Sequence, residues 1–248
     1  MASAGDASYC PSSTGGDKVS GGSNDTQPFI SLRGVHKSWR AGGTRIDVLR
    51  HIDLDIRAGT STVIVGPSGS GKSTLVHVLA LLTPIDSGEY LFNGSSVYAV
   101  NRWWDVGIRQ SIGIVFQDGK LIQNLTALQN VCVPVSHRGI WPRQQKKLAK
   151  RALAQVGLLD RLDSYPNQLS GGELIRCAIA RALVTEPVLI LADEPTGTLD
   201  SETGSTISDL LFGVVKEQRT LVVVSHNPLL AERADRVVSI RDGILDEV

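Results

Sequence analysis

Nine residues, Gly66-Pro67-Ser68-Gly69-Ser70-Gly71-Lys72-Ser73-Thr74, constrain this chain more than any other stretch. They follow Ser61-Thr62-Val63-Ile64-Val65, a β-branched run too short for a helix. They precede Leu75-Val76-His77-Val78-Leu79-Ala80-Leu81-Leu82, whose apolar residues recur at helical spacing and stop before Pro84. Strand, glycine loop and helix in that order are the context in which G-x-x-x-x-G-K-S makes a phosphate cradle. The glycines let successive backbone N–H groups turn inward around an anion at the positive end of a helix. Lys72 adds a point charge for the β- and γ-phosphates, and the Ser73 hydroxyl can ligate Mg²⁺.

The rest of the sequence bounds what this cradle can belong to. At 248 residues with 42% hydrophobic content the chain can bury a real core. Lys+Arg and Asp+Glu are both 25, so the basic excess expected of a nucleic-acid binder is missing and no nucleic acid is expected as partner. Apolar runs such as Val188-Leu189-Ile190-Leu191-Ala192 are far short of the roughly 20 residues a bilayer span needs. Cys10, Cys132 and Cys177 are odd in number and widely spaced, which argues against a disulfide framework or a zinc site and fits a reducing compartment. Residues 1–27 are rich in Ser and Gly and carry one basic residue, Lys18; they read as a disordered tail without the pattern of a signal peptide.

From Pro28 onward the elements alternate. Phe29–Leu32 and Val48–Ile56 read as strands, the second with the alternation of a half-buried antiparallel strand. Trp39 lies in the segment Val35–Trp39 between them; its ring can stack on a purine or serve packing. Turns at Asp86-Ser87-Gly88 and Asn93-Gly94 bracket a strand at Glu89–Phe92, and Trp103-Trp104 read as packing residues at an element edge. Ser111–Phe116 reads as a buried strand with Gln117 and Asp118 at its tip, where ligands sit in parallel sheets. Residues 120–184 have helical periodicity and form a helical insert, with a solvated basic face over Arg143–Val156. The insert closes with Leu169-Ser170-Gly171-Gly172-Glu173 at a helix start, an arrangement that suits an N-cap and an anion site alike. The strand Val188–Ala192 ends in Asp193-Glu194, two carboxylates that are costly at a buried strand tip unless cations, donors or water meet them. Thr196–Asp200 lead into a helix over 202–215, and the strand Thr220–Val224 ends at Ser225-His226. A helix over 228–234, a strand at Arg236–Ile240 and a turn at Asp242-Gly243 complete the chain.

This order and spacing resembles the nucleotide-binding subunit of ATP-binding cassette (ABC) transporters over some 220 residues, with Leu169-Ser170-Gly171-Gly172 as the narrowing motif. Gly113–Gln117, Leu125–Val131 and Ala192–Gly197 look most like the lipoprotein-release and macrolide-export subgroup. The resemblance implies an α/β fold: a P-loop NTPase cassette with a RecA-like core, an antiparallel β subdomain and an α-helical subdomain at about 120–184, all within a domain spanning 28–248. It implies ATP and Mg²⁺ as cofactors. By resemblance Trp39 stacks on adenine, Gly66–Thr74 hold phosphate, Gln117 senses Mg²⁺ and water, and Asp193 organises the metal with Ser73. Glu194 then matches the general base, His226 the switch histidine near the γ-phosphate, and Asp200 a residue linking two sites. Ser170, Gly171 and Gly172 would close over ATP bound to a second copy or a homologous cassette. Glu173 stands where Gln is commoner, and Leu174-Ile175 are unusual for a surface-facing helix start, marking a partner contact or a weaker closure.

The implied function is an ATPase that powers a separate membrane-spanning permease from the cytoplasmic face of the inner membrane, for export or extraction of a substrate. The alternative is a cassette that signals to a partner enzyme across the membrane without transport. A ribosome- or DNA-directed cassette fits less well, because neither tandem cassettes nor a long coiled-coil insert is present.

Overall fold

A computed structural model of the chain describes residues 28–98, 106–215 and 218–247. The N-terminal tail and Trp103-Trp104 lie outside these residues. Two sheets organise the described part. The first is antiparallel, ordered β2-β1-β4-β5, and comprises β1 (Ile30–Ala41), β2 (Thr44–Ile56), β4 (Ser87–Phe92) and the short β5 (Ser95–Ser96). The second has six strands in the order β10-β9-β3-β8-β7-β6: β3 (Ser61–Val65), β6 (Ile112–Val115), β7 (Leu189–Asp193), β8 (Thr220–Val224), β9 (Arg236–Arg241) and β10 (Ile244–Glu247). Pairing from β6 to β9 is parallel, and only the β9–β10 hairpin is antiparallel.

Helices α1 (Lys72–Leu79), α2 (Val106–Gln110), α3 (Ala127–Ser136), α4 (Pro142–Gln155), α5 (Gly171–Leu183), α6 (Ser201–Gly213) and α7 (Pro228–Ala231) join the strands. Strands β3, β7 and β8 are apolar on both faces because both are covered. Ile64, Leu191 and Val222 face a core shared with α1 and the antiparallel sheet, while Val63, Ile190 and Val223 face one shared with α3 to α6. Each fully buried Val, Leu or Ile contributes about 1.5–3 kcal/mol relative to exposure. These strands are therefore the rigid floor on which the loops at their C-terminal ends are held.

The element boundaries differ from the sequence reading in physically readable ways. Val35–Trp39 is not a connection; it belongs to β1, which runs on through register irregularities to pair Trp39 with Ile46. Helix α1 begins at Lys72 rather than Leu75, because Gly71 caps it with a φ of 107° and the last loop residues form its first turn. It also stops earlier, since Leu81 has a φ of 56°. Ile175, expected on the surface, is 2% exposed and belongs to the core, and Leu174 is half-buried against it.

Candidate nucleotide site

Strand register builds the site. Ile64 pairs with Val224, and Val224 with Asp193, so the residues that follow β3, β7 and β8 emerge at one level. Those residues are the glycine loop, Glu194 and Ser225-His226. On the outer side Val115 pairs with Ala192, which sets the exposed Gln117 at the tip of the neighbouring strand. The carboxyl edge of a parallel sheet thus presents one cation, two carboxylates, an imidazole and an amide together.

Gly66 starts the loop at a close approach: a Cβ there would lie 2.2 Å from the Ile240 carbonyl oxygen. Lys72 Nζ lies inside the loop and donates to the carbonyls of Gly66 at 2.8 Å and Pro67 at 2.9 Å. It also lies 3.8 Å from Glu194 Oε1. Ser73 Oγ donates to Asp193 Oδ1 at 3.1 Å. Burial pushes the Asp193 carboxyl above its ordinary value, with the Ser73 hydrogen bond and the nearby His77 opposing the shift. A buried carboxylate destabilised in this way, with a hydroxyl beside it, is a donor set that fits a hard divalent cation. Among the described residues no cluster of three His, Cys, Asp or Glu side chains forms a cage. Such a cation would take its remaining ligands from phosphate and water, as Mg²⁺ does.

Glu194 is the most constrained residue of the group. It has a φ of 46°, uncommon for a residue with a side chain, and its N–H donates to Val224 at 2.9 Å. Its Oε2 lies 2.9 Å from His226 Nδ1 and accepts from Ser225 Oγ at 3.3 Å. Strain held by the fold at a charged residue is the pattern of a functional position. Ser225, fully buried, also accepts from the N–H of Asn227 at 3.0 Å. In the sequence nothing singles it out beyond its place next to His226 at a strand tip.

The remaining candidates fall outside this contact network. Trp39, 44% exposed, has Lys37 Nζ 5.0 Å above its ring. It rides on the β1–β2 hairpin, whose Leu49 Cδ2 lies 3.1 Å from where a Gly71 Cβ would be. Ser170 and Asp200 form a second group, as N-caps of α5 and α6. A Cβ on Gly171 would lie 3.3 Å from Leu199 Cδ2, and one on Gly172 only 2.4 Å from Thr203 Cγ2, so the two helix starts are packed together. Glu173 completes a capping box: Ser170 N donates to its Oε2 at 2.8 Å, and Ser170 Oγ accepts from its N–H at 3.3 Å. The Ser170 backbone donor and Arg161 hold the Glu173 carboxyl down to about 2.

A link missed in the sequence joins the two groups. Arg181 of α5 donates to the carbonyls of Lys120 at 2.7 Å and Gly119 at 2.6 Å. The Leu174 carbonyl lies 3.2 Å from the position of a Gly119 Cβ. The segment after Gln117 is therefore fastened to the helix that Ser170 caps. A groove of about 510 Å³ adjoins it, floored by Ile112, Ile114 and Phe116 and walled by Pro134 and Arg181.

A family model described as "ABC transporter" matches residues 49–197. An uncharacterised ABC transporter ATP-binding protein of Bacillus subtilis, YknY, is 44% identical over 87% of this chain and 94% of its own length. The lipoprotein-releasing system ATP-binding protein LolD of Syntrophus aciditrophicus is 44% identical over 87% of this chain and 97% of its own. The ATP-binding cassette MJ0796, solved as a dimer in a post-hydrolysis state with ADP and Pi, superposes with a TM-score of 0.80 at 36% identity, covering 88% of this chain and 98% of that one. The P-loop at a parallel sheet edge, the capped signature helix and these likenesses agree: the chain belongs to the ABC transporter family, as an ATP-binding, ATP-hydrolysing cassette.

Proposed function

We propose that residues 28–248 act as one ATPase domain, with a helical subdomain at about 120–184, that drives a separate membrane-spanning permease from the cytoplasmic face of the membrane. The observation that carries the catalytic assignment is the environment of Glu194: Lys72 on one side, Ser225 and His226 on the other, and the Ser73–Asp193 pair one residue away. In this reading Gly66–Thr74 wrap the phosphates, Lys72 pairs with the β- and γ-oxygens, and Trp39 stacks on adenine. Ser73, Asp193 and Gln117 would hold Mg²⁺, directly or through water; bound there it offsets charge on the phosphate oxygens. Glu194 accepts the proton of the attacking water, and His226 holds Glu194 and the γ-phosphate in register.

Ser170, Gly171 and Gly172 form a helix start that, in this reading, serves the γ-phosphate of a second copy, with Asp200, the N-cap of α6, beside it. Two chains then complete two sites. ATP favours the closed pair because only that state gains these donors, and hydrolysis releases it. The groove beside Phe116 and Lys120 lies next to Gln117 and suits a segment of the permease, which Arg181 would couple to α5.

Glu194→Gln tests the assignment. The substitution removes the base and keeps a side chain of the same size, so hydrolysis falls about 10²- to 10⁴-fold while ATP still binds. Light scattering with Mg-ATP should then shift from 26.6 kDa to twice that mass. Undiminished hydrolysis would remove Glu194 from the mechanism, and an ATP-bound monomer would remove the two-copy sandwich.

A further inference from the structure

Residues 119–159 contain no Asp or Glu and seven Lys or Arg, in a chain whose charges balance overall. The excess is ordered rather than scattered. On α4, Ala149, Ala152 and Leu153 are buried, which fixes the core side of the helix. Arg143, Lys146, Lys147 and Lys150 recur at i, i+3, i+4 and i+7, and at about 100° per residue they form one stripe turned away from the centre of that side. All four are exposed, and among the described residues none has a carboxylate within ion-pair distance. Several basic residues elsewhere are ion-paired, as Arg33 is with Asp55, Lys37 with Asp86 and Arg233 with Asp209. At the N-terminal end of the stripe stands Trp141, 81% exposed, the most exposed large apolar side chain described. Pro142 and the half-buried Ile140 fix its backbone on either side.

We infer that this face of α4 docks on the anionic headgroups of a lipid bilayer, with Trp141 at the interface. Three observations favour a bilayer over an acidic protein. The stripe is repetitive and lacks the mixed polar groups a specific protein contact uses. Four flexible ammonium and guanidinium heads suit a diffuse negative surface, which rewards charge without fixed geometry. An exposed indole beside a basic helix face is the combination found in helices that lie in the membrane interface. The partner of this family is a membrane protein, so the surface is within reach. Lipid contact would fix the orientation of the helical segment independently of the groove beside Gln117.

Sedimentation of the full chain with vesicles tests this. One set is phosphatidylcholine; the other contains about a third phosphatidylglycerol. Binding is expected only to the second, and about 0.5 M NaCl should abolish it, since screening then acts over a few ångströms. A basic residue at such a surface is worth about fivefold in partition, from about 1 kcal/mol each. The variant R143Q/K146Q/K147Q/K150Q should therefore lose at least tenfold, with several hundredfold as the ceiling. Gln has nearly the helix propensity of Lys, and none of the four touches the nucleotide site, so the ATPase rate of this variant should match the parent and report an intact fold. Trp141→Ala should lose a further part of the binding that salt does not affect. Retention within twofold by the quadruple variant overturns the inference, as does equal binding to both vesicle types. If the chain ignores both vesicles while the quadruple variant loses only its hold on the detergent-solubilised permease, the stripe meets an acidic protein face and the lipid assignment is wrong.

Discussion

Gly243→Ala should damage the nucleotide site from the far end of the sequence. Gly243 sits in the β9–β10 turn with a φ of 78°, and a Cβ there would lie 2.3 Å from the Val48 carbonyl oxygen. Its N–H donates to the Ser70 carbonyl at 3.1 Å, and its own carbonyl accepts from Arg50 at 2.7 Å. One residue thus ties the P-loop to β2. Two costs add on substitution. A side chain in the left-handed region costs about 1–2 kcal/mol. The methyl must also move backbone by roughly an ångström to restore a normal contact, and overpacking of this kind costs about 1–3 kcal/mol. The total, about 2–5 kcal/mol, is a large part of the 5–15 kcal/mol that holds a typical domain. Urea unfolding with unchanged slope measures it. Loss of the Ser70 bond adds about 1 kcal/mol to the cost of ordering the loop around phosphate, so ATP affinity should weaken about fivefold. Gly243→Asn separates the two costs, because Asn tolerates positive φ yet carries the same Cβ. A cost below about 0.5 kcal/mol for Gly243→Ala would refute the argument, and an Asn variant as stable as the parent would show that the clash with Val48 is not real.

Ser225→Ala removes one of the donors to Glu194 and the acceptor for Asn227, and the long 3.3 Å bond to Glu194 is worth about 1 kcal/mol. Steady-state kinetics should show kcat down about fivefold with KM for ATP unchanged; a change in KM alone would place Ser225 in binding instead. Glu173→Gln should keep the cap on Ser170 and lose only the ion pair with Arg161, whereas Glu173→Ala should lose the cap as well, about 1 kcal/mol. Because the folded carboxyl titrates at about 2 against an ordinary 4.5, its stabilisation is present above the ordinary value and fades as pH falls through about 2. The cost of Glu173→Gln should therefore shrink in acid, and a penalty constant from neutral pH down to about 3 would count against the hold of Ser170 N–H and Arg161 on the charged carboxylate.

What was legible in the sequence is local in character. The P-loop strand and helix, the carboxylates after Ala192 and the polar tips after Val115 and Val224 all follow from short-range pattern, since β-branched runs ending in polar residues have few other readings. What was not legible depends on pairing between distant segments. The continuation of β1 through Val35–Trp39 needs β2 beside it, and the roles of Arg181 and Gly243 need the carbonyls of Lys120, Gly119 and Ser70 brought within reach. Ile175 shows the same limit. Read as a helix start it belongs outside, but α5 enters the fold between α3, β6 and α6, so the second turn after Ser170 is already core. Glu173 differs again: its capping pattern with Ser170 was in the sequence, while its ion pair with Arg161, twelve residues back, was not.

The charge arrangement favours a divalent cation independently of the donor set. Lys72 is the cation nearest the phosphate loop, and it lies 3.8 Å from Glu194, the group assigned to take a proton. Any phosphate brought to Lys72 is therefore brought beside Glu194 and close to Asp193, which is 8% exposed. At this burial like charges repel far more strongly than in water, and one lysine cannot offset two carboxylates and a triphosphate at once. The fold answers this at Asp193 rather than by adding basic residues: a carboxylate kept buried, already raised in pKa and hydrogen-bonded to Ser73, gains more from a small dication than any exposed acid would. The same geometry leaves Glu194 out of that pairing, turned by its positive φ toward Ser225 and His226. Two adjacent acids thus face different partners, Asp193 the Ser73 hydroxyl and Glu194 the Ser225 and His226 side chains, which is the separation that the proposed division of tasks requires.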